Sequence, residues 1–204
     1  MPVSTTQGPA TWPFAEAIPG QIIFLNGASS SGKSSIAEQL LQVLDAPYFH
    51  LSVDAFNAMR AKERTRQLSS PELHQMLRRT RAGFHRAVAG MARAGNNLVV
   101  DYVLSEPWRL KDCLTVLAGL DVVLVGVHCS AAELARRERA RGDRELGQAA
   151  ARLERVHAHG LYDLECDTTS ASPVACALRI REFLAERSRP GAFDQLRERE
   201  LGVS

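Results

Sequence analysis

The chain has 204 residues, a formal net charge of +2, and 45% apolar against 24% charged residues, an ordinary globular composition with enough chain for one good-sized core. No apolar run approaches the ~20 residues that cross a bilayer. The first twenty residues lack the basic and apolar regions of a secretory signal, and so small a net charge gives no argument for nucleic acid, so the expectation is a cytoplasmic protein whose partners include neither membrane nor nucleic acid.

Four prolines between Pro2 and Pro19 mark residues 1–20 as a flexible leader, ahead of a domain expected over 21–187 and a tail over 188–204. Gln21 to Leu25 reads as a buried strand, and Ser34 to Leu44 as a helix with Ile36, Leu40, Val43 and Leu44 on one face. Tyr48 to Val53 is a second strand, ending at Asp54, and residues 55–69 are polar and poorly periodic. Ser70-Pro71 then opens a long helix, with Pro at its first position, that runs to about Ala94 and stops at Gly95-Asn96-Asn97.

Leu98 to Val103 is a third strand, Pro107 to Leu117 a helix, and Asp121 to Cys129 a β-branched fourth strand. Ser130 and Glu133 have the spacing of a capping box for a helix ending near Arg141 and Gly142. A polar segment to Gly147 and a helix to about His157 come next, followed by a fifth strand over Tyr162 to Thr168. Ser172-Pro173 caps Val174 to Glu186, whose stripe of Ala177, Ile180 and Leu184 suits a sheet. After the break at Arg189-Pro190-Gly191, Phe193 to Leu201 reads as one exposed helix. Strands alternating with helices predict an α/β fold, a three-layer sandwich whose five-stranded parallel sheet carries helices on both faces and binds ligand at its C-terminal rim.

Between the first strand and its helix, Gly27-Ala28-Ser29-Ser30-Ser31-Gly32-Lys33-Ser34 spells G-x-x-x-x-G-K-[ST], the phosphate-binding loop. Glycines at its tight positions let backbone amides turn inward on phosphates; Lys33 adds a point charge, the Ser34 hydroxyl suits Mg²⁺, and Ser35 opens the helix whose positive end faces the anion. Asp54 and Asp101 both follow apolar strands, and a parallel sheet brings both to the rim of that loop. Asp54 is the candidate base for an acceptor hydroxyl and Asp101 the candidate carboxylate for Mg²⁺; either residue alone also fits a helix cap or strand end.

The cations are 22 Arg and only 3 Lys. Arg137, Arg141 and Arg144 share i, i+4, i+7 spacing in a segment, 136–147, that reads as a lid aiming guanidiniums at phosphates, with Arg136 and Arg139 left to solvent. His157 and His159 near Tyr162 and Asp163 show no third metal ligand, so hydrogen-bonded histidines are expected. Asp167 and Thr168, at the end of the fifth strand, are the candidate adenine contacts. Cys113, Cys129, Cys166 and Cys176 form no C-x-x-C pair and lie in apolar stretches, as buried free thiols of a reducing compartment do.

An ordered set of segments over about 21–187 makes the chain resemble chloramphenicol phosphotransferase and its relatives, P-loop small-molecule kinases. The set comprises Ile23 through Ser34, Val53-Asp54, Met91 through Gly95, Val125 through Cys129, Glu138 through Arg144, Val156-His157, Tyr162-Asp163 and Asp167-Thr168-Thr169. The resemblance implies transfer of the γ-phosphate of ATP to a small-molecule alcohol, antibiotic resistance among the roles, with Asp54 as base, Lys33 and Ser34 on phosphates and metal, and Arg141 or Arg144 in the lid. A homodimer is left open. The chain departs from the family at residues 60–81, which are Arg-rich where drug-phosphorylating relatives carry a Gly- and Asp-rich insertion. That charge suits an anionic or phosphorylated alcohol through Arg78 or Arg81, unless those arginines are a solvated face. A zeta-toxin-like sugar-nucleotide kinase, and a nucleotide-dependent switch or RNA-binding protein, are the competing readings.

Overall fold

A computed structural model describes residues 17–141 and 153–203. Five parallel strands form one sheet: β1 (Ile22–Gly27), β2 (Tyr48–Ser52), β3 (Asn97–Tyr102), β4 (Val122–His128) and β5 (Leu164–Asp167), in the order β2-β3-β1-β4-β5. The described helices are α1 (Lys33–Val43), α2 (Val53–Ala58), α3 (Lys62–Arg66), α4 (Ser70–Arg93), α5 (Pro107–Val116), α6 (Ala131–Arg141), α7 (Pro173–Glu186) and α8 (Ala192–Leu201). No described helix is long and apolar enough to cross a membrane.

The near-continuous apolar runs of β1, β3 and β4 exist because both faces of the sheet are covered. Alternation divides them. Ile22, Phe24, Leu98, Val100, Tyr102, Val122 and Leu124 pack with Phe84 and Val88 of α4, Leu110 and Leu114 of α5, and Phe193 and Leu196 of α8. Ile23, Leu25, Val99, Val123, Val125 and Val127 face α1 and α7 through Ile36, Leu40, Ala177 and Ile180. The three-layer α/β sandwich expected from the sequence is therefore the fold observed.

Register then fixes the rim. Asp101 stands beside Leu25 of β1 on one side and Ser52 of β2 on the other, so the residues following β1, β2 and β3 converge at one edge. The chain order reverses between β1 and β3, and a parallel sheet leaves a crevice at that point.

Several local expectations are corrected. Val53 and Asp54 do not end a strand: they open α2, where the Ser52 hydroxyl accepts from Ala55 N. The poorly periodic stretch after Asp54 contains both α2 and α3, short helices with no buried residue and hence no apolar stripe to read. The cap of α4 is Ser69, one residue before the expected Ser70, because Glu72 accepts from both the Ser69 N–H and hydroxyl.

The capping box at α6 forms only in half. Ser130 Oγ accepts from Glu133 N, but the Glu133 carboxylate turns to Arg136 and Arg137. The terminal helix expected to be exposed instead buries Ala192, Phe193 and Leu196 against α5 and β4. Among the described residues all four cysteines are free and buried, as expected.

Candidate active site

The phosphate loop begins where β1 can no longer accept a side chain. A Cβ on Gly27 would lie 2.4 Å from the Val127 carbonyl oxygen and 2.7 Å from Ser31 Oγ. The loop then bends through left-handed backbone at Ser30 (φ 63°) and Gly32 (φ 96°), and Gly32 caps α1. The second position is one that glycine adopts without steric cost; Ser30 holds strained geometry of the kind binding loops store. Ser31 N donates to the Ala28 carbonyl and Ile36 N to that of Gly32.

Lys33 is buried, its Nζ donating to the Ala28 carbonyl at 2.8 Å and lying 3.7 Å from Asp101 Oδ1. Ser34 Oγ donates to Asp101 Oδ2 at 2.5 Å. A hydroxyl and one carboxylate are the protein donors magnesium takes when phosphates and waters complete its octahedron. Among the described residues no cluster of three or more His, Cys, Asp or Glu side chains forms a metal cage.

Two cavities, each of about 340 Å³, share Ser30, Lys33 and Ser34 as a common wall. One is further lined by Ala28, Ser29, Asp54, Asp101, Arg81, Arg109 and Glu138. The other is further lined by Gly32, Ser35, Arg137 and Thr168. Asp54 thus shares a cavity with Lys33, Ser34 and Asp101, whereas Arg78 lies over the Trp108 ring at 4.9 Å, outside that cavity.

The predicted lid and adenine residues divide. Arg137 reaches Ser30 O, Thr168 Oγ1 and Thr168 O, with its Nε on Glu133. Its guanidinium therefore ties α6 to the loop and to the end of β5. Hydrogen bonds from Arg136 and Arg137 push the half-buried Glu133 carboxyl down to about 2. Arg136, expected in solvent, is exposed yet borders the second cavity, and Arg139 is exposed. Thr168 is buried, with its hydroxyl on Ser31 O, so it braces the loop. Asp167 lines neither cavity, and hydrogen bonding to the Thr169 hydroxyl and then to Thr169 N holds its carboxyl below the usual range. The Arg141 side chain and all of Arg144 lie outside the described residues.

Beneath the loop is a polar network centred on Asn26, which is fully buried. Its Oδ1 accepts from Leu104 N, and its Nδ2 donates to Val156 O and to the Tyr162 hydroxyl at 2.7 Å. That leaves the Tyr162 proton for His157 Nδ1, 2.6 Å away. His157 stacks on His128 with centroids 4.2 Å apart, and burial pushes its pKa down to about 4, helped by His128, His159 and Lys33. The histidines are thus hydrogen-bonded supports, as expected.

Arg109 and Glu138 are the cavity residues that motif reading passed over. Arg109 sits in an unremarkable α5 and Glu138 in an arginine-rich α6; the only signal for them is topological, since α5 follows β3 and α6 follows β4 at the same rim.

The chain is similar to known proteins in both sequence and fold. The model of the chloramphenicol phosphotransferase-like protein family matches residues 20–185. A Mycobacterium tuberculosis (strain H37Rv) protein carrying the provisional designation O-phosphotransferase is 31% identical, covering 89% of this chain and 90% of its own. The M. tuberculosis APS kinase, solved with AMPPNP and APS, superposes with a TM-score of 0.61 at 18% identity, covering 82% of this chain and 99% of its own. A Deinococcus radiodurans tunicamycin resistance protein gives 0.61 at 20% identity, covering 84% and 99%. The phosphate loop, the sheet order and the matched length together lead to one assignment: the chain belongs to the chloramphenicol phosphotransferase-like family.

Proposed function

We propose that the protein is an ATP-dependent phosphotransferase that moves the γ-phosphate to the hydroxyl of a small molecule. The observation that carries this reading is the common wall of Ser30, Lys33 and Ser34 between two cavities, with Asp54 and Asp101 on one side only. A donor lying along the loop from the second cavity would present its terminal phosphate to the first, where an acceptor fits.

In that arrangement Lys33 binds the β- and γ-phosphates, while amides of the loop from Gly27 to Ser34 hold the rest of the triphosphate. Ser34 and Asp101 would hold a magnesium ion, which would supply charge neutralisation to the phosphates. Asp54 takes the proton of the acceptor hydroxyl as its oxygen bonds to the γ-phosphorus. The bond from that phosphorus to the bridging oxygen breaks, and ADP leaves with the electron pair. Arg141 and Arg144 would close over the transferring group as lid residues.

An antibiotic alcohol as acceptor, with a resistance role, is the second reading, favoured by the description of the matching family. The test is an acceptor screen with MgATP that follows ADP release and the phosphomonoester by ³¹P NMR. ATP consumption that depends on one alcohol and yields its phosphate ester supports the proposal. Turnover indifferent to every alcohol, or stimulated by RNA, overturns it.

A further inference from the structure

The first cavity has a second charged feature besides the transfer machinery. Arg81 of α4 and Arg109 of α5 both line it, together with Lys33 and Asp101. Their fields overlap: both guanidiniums act on the Tyr102 hydroxyl and on the Glu106 carboxyl, which they help hold below the usual carboxylate range.

Arg109 is an expensive residue to place there. It is only 8% exposed, and burying a guanidinium costs free energy unless its donors are spent. Two of them are, on the Val103 carbonyl and on Glu106. Its Nε–H, by contrast, is buried without a hydrogen-bond partner among the described residues. Glu106 is half exposed and also serves Trp108 Nε1, so it anchors one edge of the fork and leaves the guanidinium under-compensated. A cavity-lining guanidinium in that state is a receptor for oxygen anions, which take its N–H groups in pairs.

We propose, building on the phosphotransferase reading above, that the acceptor alcohol carries an anionic group, and that Arg81 and Arg109 bind it while the hydroxyl faces Asp54. The substrate class is then a compact alcohol bearing a phosphate, sulfate or carboxylate. Arg78, the other arginine whose sequence position invited this role, is spent on the face of Trp108.

The experiment measures anion binding to the full chain saturated with MgAMPPNP, so that the phosphate loop is filled. Calorimetric titrations use sulfate, inorganic phosphate and acetate, the three arms separating tetrahedral oxyanions from carboxylates. Binding of at least one anion is expected, weakened roughly tenfold or more in Arg81→Gln and in Arg109→Gln and unchanged in Arg78→Gln. Arg81 is only half-buried, so its variant keeps the test valid if Arg109→Gln fails to fold. No anion binding to the nucleotide-saturated protein, or binding that Arg81→Gln leaves intact, overturns the proposal. A chain that binds no MgAMPPNP at all overturns the phosphotransferase reading beneath it.

Discussion

Ser34 and Asp101 are 67 residues apart in sequence, yet Ser34 Oγ and Asp101 Oδ2 stand 2.5 Å apart at the head of α1. The contact follows from the pairing of β1 with β3, which sets Leu25 beside Asp101. It pairs the hydroxyl and the carboxylate on which the proposed magnesium site rests.

Asp101→Asn should therefore preserve the fold, because an amide oxygen can still accept from Ser34, while removing the charge. The expected result is a higher magnesium concentration for half-maximal rate and a kcat lowered by ~10² or more. Titrating magnesium against initial rate checks it; an unchanged magnesium requirement would give Asp101 a purely structural role.

Asp54→Asn should bind MgATP normally and transfer slowly. Loss of a general base costs ~10² to 10⁴ in rate, and the residue is exposed in the first turn of α2, so no packing is disturbed. Nucleotide affinity by calorimetry and kcat by product formation separate the two effects, and wild-type kcat would remove Asp54 from the chemistry.

Lys33→Ala should lose turnover by at least ~10²-fold, the scale of one lost charge-stabilising donor. The ammonium donates to the Ala28 carbonyl of the loop and lies 3.7 Å from Asp101, both at the rim and not in the apolar core, so the variant should still fold, as circular dichroism would show. Wild-type rates in this variant would end the phosphate-loop reading.

The fold and the donor half of the site were legible because they rest on local patterns. A strand with no polar break, the glycine spacing and the Lys-Ser pair name the loop, and the shared position of Asp54 and Asp101 after apolar strands brings them to one rim. The rest was illegible for physical reasons. α2 packs only Val53 and Phe56, both partly buried, on the core and α3 buries nothing, so neither is long or apolar enough to show a periodicity. α8 buries only three residues, and its fit to the core depends on α5 and β4. Arg109 becomes informative only through the cavity it lines, and Thr168, read as a base contact, is held by Ser31 and Arg137.

Tyr102→Phe should leave stability unchanged or raise it. The hydroxyl is fully buried with no hydrogen-bond partner among the described residues, and desolvation drives its pKa upward. Removing an unsatisfied buried hydroxyl from a ring that still packs on Phe84 and Phe24 relieves a desolvation cost of ~1 kcal/mol. Denaturant melts of the two proteins decide it; a loss of more than 1 kcal/mol would reveal a partner for that hydroxyl, such as a buried water.

Acid should destabilise the protein through His157 before the carboxylates dominate. Folding lowers the His157 pKa from 6.5 to about 4, so the folded state binds fewer protons than the unfolded chain between those values. Stability from this group is fully present above pH 6.5 and is lost as the pH falls toward 4. Burial of the ring is the main cause, with the positive fields of His128, His159 and Lys33 adding to it; the network is consistent with a neutral ring, since Nδ1 accepts the Tyr162 proton while that hydroxyl accepts from Asn26. His85 and His159 shift in the same direction by burial, so the wild-type slope is their joint effect. His157→Gln keeps an oxygen acceptor for Tyr162 and cannot titrate. Its melting temperature should therefore fall less than that of the wild type between pH 6.5 and 4.5, and parallel curves would mean that folding leaves the His157 pKa unshifted.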